Sequence, residues 1–209
     1  MMQDVLQEAA IGVGVAQRSG GLKLLANPGC GAAIWQRQPR PEFQTWIDRI
    51  NPVNLPSTRL VLRPQDVVTA LSDICDMYLM PQGGHRQHLI EDIAALAHIL
   101  CDLMAAPYLR LRLERVTSNA CRKFHIDAVT ARLVCTYRGT GTQYGIATDG
   151  TQPKRVFTVP TGAPILLRGS LWPETPHAGV LHRSPPIEGS GQTRLVLVLD
   201  PIFDPEDEA

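Results

Sequence analysis

Four residues in the C-terminal half of this 209-residue chain have the types and the order to hold a metal ion and an anionic ligand. His125 and Asp127 stand two apart in Cys121-Arg-Lys-Phe-His-Ile-Asp. On a strand, alternation turns Cys121, Lys123, His125 and Asp127 to one side, with the two donors ~7 Å apart at a rise of ~3.4 Å per residue. His182, in Gly179-Val-Leu-His-Arg-Ser-Pro-Pro, offers a second imidazole. Two histidines and one carboxylate on one side of an octahedron hold a non-haem ferrous ion and leave three positions open for cosubstrate and dioxygen. Arg194 opens the run Arg-Leu-Val-Leu-Val-Leu-Asp, which is apolar on both faces and is expected to be buried on both. A guanidinium there needs an anionic partner. A bound dicarboxylate suits its bidentate fork; Asp200, Glu174 or Glu188 would also serve.

The elements that must position these residues fall into two textures. Phe43, Trp46, Ile47 and Ile50 recur at helical spacing behind Pro41. Val67, Leu71, Ile74 and Tyr78 make a second stripe, and Leu89, Ile93, Leu96, Leu100 and Leu103 a third, with Pro81-Gln-Gly-Gly between them. The last two are expected to pair as a helical hairpin. After Pro107 the helical period stops and short strand-like runs begin: 109–116, 121–126, 132–138, 143–147, 155–159, 164–168, 179–184 and 193–200. Eight short strands suggest a double-sheet jelly roll. The expected fold is therefore α+β, an N-terminal helical layer on an eight-stranded, cupin-like barrel, in one compact unit. Residues 1–30 read as a loosely ordered lead-in containing Gly20, Gly21 and Gly29, residues 31–106 as the helical region (with a short strand at 32–35), 107–203 as the barrel, and 204–209 as an acidic tail.

Composition excludes several classes. Twenty basic residues balance twenty acidic ones, against a general nucleic-acid or anionic-membrane binder. No run of eighteen apolar residues occurs, and the first ten carry acids where a signal peptide carries cations. Five cysteines, with no Cys-x-x-Cys, fit neither a disulfide framework nor a ribbon-type zinc site, so a reducing cytoplasm is the expected compartment and buried thiols the expected state. Gly139-Thr-Gly-Thr-Gln-Tyr-Gly opens no helix and is read as a turn, not a dinucleotide fingerprint. His85 and His88 read as a solvated helix start and His98 as a core histidine. The cations between Arg110 and Arg138 read as solvated strand faces.

The order His125-x-Asp127, His182, Arg194 resembles the Fe(II)/2-oxoglutarate dioxygenase superfamily over roughly residues 109–200. That resemblance implies a double-stranded β-helix in which His125, Asp127 and His182 bind the metal. Arg194 would grip the distal carboxylate of 2-oxoglutarate, and Tyr137, Thr136 or Arg132 would assist. The implied reaction couples oxidative decarboxylation to succinate with hydroxylation of an unspecified substrate. The stretches Leu111-Arg-Leu-Glu-Arg-Val, Cys121-Arg-Lys-Phe-His-Ile-Asp, Arg132-Leu-Val-Cys-Thr-Tyr-Arg-Gly-Thr-Gly-Thr, His182-Arg-Ser-Pro-Pro and Arg194-Leu-Val-Leu-Val-Leu-Asp are also similar to a bacterial family catalogued as domain of unknown function family 1826.

Two other readings stay open at this level. A zinc-handling or zinc-sensing protein on the same scaffold would close the site with Cys121, His177 or a further carboxylate. An interaction module would show a metal-free polar core whose members bond to one another. His177 or Cys121 can stand in as ligands, Lys123 can replace Arg194, and Glu174 can face a substrate. The partner, the substrate and the oligomeric state are not specified by the sequence.

Overall fold

The computed structural model describes residues 9–147 and 152–208, and a seven-stranded sheet is its spine. Its strands are β1 (Gly12–Ala16), β2 (Cys30–Trp35), β3 (Thr58–Leu62), β4 (Tyr108–Val116), β5 (Ala131–Arg138), β8 (Pro164–Arg168) and β10 (Arg194–Ile202). They lie in the order β1-β2-β8-β5-β10-β4-β3. A second sheet, β7-β6-β9, is built from β6 (Gln143–Ile146), β7 (Phe157–Thr158) and β9 (Val180–Arg183). Three α-helices precede β4: α1 (Pro41–Arg49), α2 (Val67–Met77) and α3 (Gly84–Met104). The class is mixed α+β, and strand-rich.

Period-two alternation divides the large sheet into two working faces. Leu195, Leu197 and Leu199 of β10, Leu109, Leu111 and Leu113 of β4, and Leu133 and Cys135 of β5 join the core under the helices. Val196 and Val198 of β10, Val134 of β5 and Ile165 and Leu167 of β8 turn the other way. They form a second, smaller core with Val180 and Tyr144 of the small sheet. That opposite face also carries Arg194, Asp200, Arg132, Arg110 and Arg112, so the charged groups lie between the two sheets, next to a dry layer.

The three helical periodicities correspond to α1, α2 and α3. Pro41 occupies the first turn of α1. α3 starts after Gly83 at φ 131° and ends at Ala105 at φ 51°, whose N–H donates to the Cys101 carbonyl. α2 and α3 pair as expected. Arg86 fastens them, donating to the carbonyls of Ser72 and Met80 and lying 2.8 Å from Asp76.

Other parts differ from the sequence reading. Seven of the eight runs expected after Pro107 form strands, the expected strand at 32–35 is β2, and β1 and β3 bring the described residues to ten. Cys121–Ile126 makes no strand beyond a single antiparallel bridge, His125 to His182. Within the expected lead-in, β1 runs parallel to β2, and Leu22 and Leu25 of the following 3-10 turn are buried in the main core; residues 1–8 lie outside the described part. The helical region also contributes β3, the edge strand beside β4. His98 is exposed rather than core. His85 and His88 are exposed at the start of α3, as read, and also pack their rings against Trp46 and Phe43. Among the described residues, no helix is long and apolar enough to cross a membrane.

Candidate metal centre

The irregular segment 117–130, between β4 and β5, brings His125 and Asp127 to the mouth between the sheets. His125 and His182 exchange both backbone hydrogen bonds, 3.0 Å each way, as directly opposed antiparallel residues do. Their rings therefore share a face, with centroids 4.6 Å apart. Asp127 is held from behind: its carbonyl accepts from Ser170 N–H at 2.9 Å, while Gly169 N–H donates to Thr130. A Cβ on Gly169 would collide with the Val129 carbonyl, so only glycine lets this loop pack back.

One ligand atom from each of His125, Asp127 and His182 lies within 4.8 Å of the other two. His182 Nε2 is 2.9 Å from Asp127 Oδ2, and His125 Nε2 is 3.3 Å from Oδ1. Ligands on adjacent corners of an octahedron with bonds of ~2.1 Å stand about 3 Å apart, so the spacing is that of a metal-binding set. Asp127 Oδ2 is buried and accepts no aligned hydrogen bond. An orphaned buried carboxylate oxygen is costly unless a cation completes it. His125 Nδ1 lies 2.8 Å from the Lys123 carbonyl oxygen. That oxygen can only accept, so Nδ1 carries the proton and Nε2 keeps its lone pair for a cation.

Burial would raise the Asp127 pKa. The contact with His182 and the Arg132 guanidinium, joined by the imidazoles whenever they are protonated, outweigh it and hold the carboxyl well below its usual range. Asp127 is thus an ionised carboxylate beside two imidazoles, a donor set suited to a divalent transition metal.

The cleft beside these residues is about 120 Å³ and is also lined by Arg112, Thr142, Cys121 and Arg194. Arg194 is 1 % exposed and has no ion pair among the described residues. Its Nε donates to the Thr140 carbonyl at 2.7 Å and its Nη2 to Thr136 Oγ1 at 3.4 Å. Burial pushes its pKa down to about 10. None of the carboxylates considered for it is there: Asp200 is taken by Arg132 and lies 3.4 Å from Arg110, Glu188 accepts from Asn119, and Glu174 is exposed on the 169–178 loop. Gly139, at φ 78°, makes room for the Arg194 stem, since a Cβ there would meet Arg194 Cγ at 2.9 Å.

The remaining sequence-derived residues separate into those at the cleft and those elsewhere. Thr136 is at the cleft, bonded to Arg194. Arg132 is at the cleft too, yet its guanidinium serves Asp200 and Asp127 instead of an incoming anion. Tyr137 points through the sheet to the helical side, where its hydroxyl donates to Asp92 Oδ2 at 2.6 Å beside the bidentate Arg37–Asp92 pair. Strand alternation forces this: Thr136 and Tyr137 are neighbours on β5 and take opposite faces. Lys123 is exposed and contributes only its carbonyl. His177 is exposed, its carbonyl accepting from Ala10 N–H. Cys121 lines the cleft but is exposed and outside the ligand cluster, contrary to the buried thiol expected. The cations from Arg110 to Arg138 are not all solvated. Arg110, Arg112 and Arg132 surround the buried Asp200, and Asp200 was not foreseen as their hub.

Comparison with solved structures gives the fold class first. The chain is similar to the dioxygenase for auxin oxidation 1 from Arabidopsis thaliana, solved with 2-oxoglutarate, at 11 % identity and TM-score 0.53 over 93 % of each chain. It is also similar to the rice dioxygenase for auxin oxidation, at 11 % identity and TM-score 0.51 over 92 % of this chain and 83 % of that one. At this identity the likeness is one of fold. No curated protein matches by sequence. The family model described as "Protein of unknown function (DUF1826)" matches residues 16–200, and the chain belongs to that family.

Proposed function

We propose that the chain is an Fe(II)- and 2-oxoglutarate-dependent oxygenase on a double-stranded β-helix. The observation that carries this reading is the pairing of two features in one cleft: a His–Asp–His cluster with an orphaned carboxylate oxygen, and a fully buried guanidinium with no carboxylate of its own. The first fits a divalent ion and the second fits the far carboxylate of a dicarboxylate. A zinc-handling site would not need the second. A self-contained polar core would leave neither.

His125, Asp127 and His182 would hold the ferrous ion, and Arg194, steadied by Thr136 and Thr140, the distal carboxylate of 2-oxoglutarate. Together, iron and 2-oxoglutarate would supply oxidation by dioxygen coupled to decarboxylation to succinate. The chain's own contribution is orientation and exclusion of water. The Lys123 carbonyl sets the His125 tautomer, Ser170 fixes the Asp127 backbone, and Val134, Val196 and Val198 make the dry wall of the cleft.

The test is elemental analysis of protein purified without a histidine tag, beside the His125→Ala/His182→Ala double variant. About one equivalent of iron, or of iron after anaerobic reconstitution, lost in the variant and accompanied by succinate formation, is expected. A wild type that binds no metal under those conditions refutes the reading. A wild type that binds only zinc and neither binds nor consumes 2-oxoglutarate supports the zinc-handling alternative.

A further inference from the structure

Arg132 spends its whole guanidinium on two carboxylates. Nε lies 2.6 Å from Asp200 Oδ1 and Nη2 2.8 Å from Asp200 Oδ2, a bidentate grip on a side chain that is 1 % exposed. The third nitrogen, Nη1, lies 2.5 Å from Asp127 Oδ1. Asp200 is itself fixed by the sheet register, opposite Arg110 on β4 and beside Arg132 on β5. A guanidinium fork held on two edges cannot rotate away from its third contact. Asp127 Oδ1 is therefore occupied by the protein, and Oδ2, the buried oxygen 2.9 Å from His182 Nε2, is the one left without a hydrogen bond.

Resting on the oxygenase reading above, we infer that Arg132, anchored by Asp200, is a positioning residue that confines Asp127 to binding the metal through Oδ2 alone. Such confinement does two things. It keeps a second carboxylate oxygen from taking one of the positions that the cosubstrate and dioxygen must share. It also draws charge from the carboxylate, leaving the metal more electrophilic than a free aspartate would. Thus the cation nearest the cluster acts on the metal ligand, and the cation farther along the cleft, Arg194, is free for an anion.

The test uses Co(II), whose visible bands report coordination number and geometry, added to the full-length metal-free protein under anaerobic conditions. Arg132→Gln removes a cation beside the ligand and frees Asp127 Oδ1, so it is expected to tighten Co(II) binding about 10-fold and to shift the cobalt bands toward a higher coordination number. Arg132→Lys keeps a cation beside Asp200 but lacks the fork, and is expected to bring the affinity part of the way back to the wild-type value while the bands stay altered. Because Arg132→Gln leaves Asp200 less well paired, its melting curve is recorded without metal. Should it fail to fold, the Lys variant carries the comparison. Unchanged affinity and bands in a folded variant overturn the inference while leaving the metal site standing. Failure of the wild type to bind Co(II) at all overturns this inference and the oxygenase reading together.

Discussion

Replacing Arg194 by methionine should make the ligand-free protein more stable and the ligand-bound protein less so. The guanidinium is pushed from 12.5 down to about 10 by burial, with no anion offsetting it. At ~1.4 kcal/mol per pH unit this is a cost of about 3 kcal/mol to the fold. The folded pKa of this cation is lowered, so the cost is present in full below pH 10 and shrinks only above it. Arg194→Met removes the charge and keeps an unbranched apolar stem in the same groove. It also strips the Thr140 carbonyl of its donor, which costs about 1–2 kcal/mol. The balance is a gain of about 1–2 kcal/mol, or ~2–8 °C in melting temperature for a chain of this length.

The bound state reverses the sign. A ligand held at a hundred times its dissociation constant stabilises the wild type by about 2.7 kcal/mol, roughly 5–10 °C. That 2-oxoglutarate-dependent increment should vanish in Arg194→Met while the metal-dependent one remains. Differential scanning fluorimetry at pH 7.5, with and without Co(II) and 2-oxoglutarate, reads both. A variant that melts well below the wild type without ligand refutes the reasoning. It would mean that the guanidinium supports the fold through Thr136 and Thr140 and is not held in reserve for an anion.

Three further outcomes are expected. Gly169→Ala should cost about 1–3 kcal/mol of stability by overpacking the loop against Val129, and should weaken metal binding because Asp127 moves with that loop; isothermal titration of the folded variant checks it. Tyr137→Phe should cost about 1–3 kcal/mol through its lost bond to Asp92 yet leave metal and 2-oxoglutarate affinities unchanged in the same titrations. A thiol-reactive chromophore at pH 8 should label one cysteine quickly, Cys121, the only exposed one. Burial raises Cys101 to about 11 and Cys135 to about 12, so pH 9 should not recruit them. Metal plus 2-oxoglutarate should slow the labelling, and Cys121→Ser should abolish it.

What could be read from the sequence followed the range of the forces involved. The helices are local objects, and their stripes gave α1, α2 and α3 because apolar residues repeat every three or four positions regardless of what they pack on. β10 was legible for a similar reason, being apolar on both faces. β1, Gly-Val-Gly-Val-Ala, hid because two of its five residues are glycine, a poor strand former. β3, five residues with half-buried alternation at a sheet edge, hid because its pairing with β4 is a tertiary event. The alternation in Cys121–Ile126 misled in the opposite direction. The pattern is that of a strand, yet its single ladder bridge is His125 to His182, with the Cys121 carbonyl accepting from Ser184 N–H beside it.

The candidate site shows the same division between residue type and register. His125, Asp127, His182 and Arg194 could be named because few residue types bind metals or dicarboxylates, and their order along the chain is suggestive. Whether a neighbouring cation serves the metal ligand or the cosubstrate is decided elsewhere. Half-buried Arg132 and buried Arg194 face the same cleft, and nothing in either local sequence distinguishes them. The difference lies across the sheet. Arg132 meets Asp200 because β5 and β10 pair with Leu133 opposite Leu199, while Arg194 sits at the other end of β10, past the register shift between Leu195 and Val196. One strand thus delivers an acid to one arginine and carries the other arginine away from it. The division of the cleft into a metal end and an anion end is a property of that register rather than of any single residue.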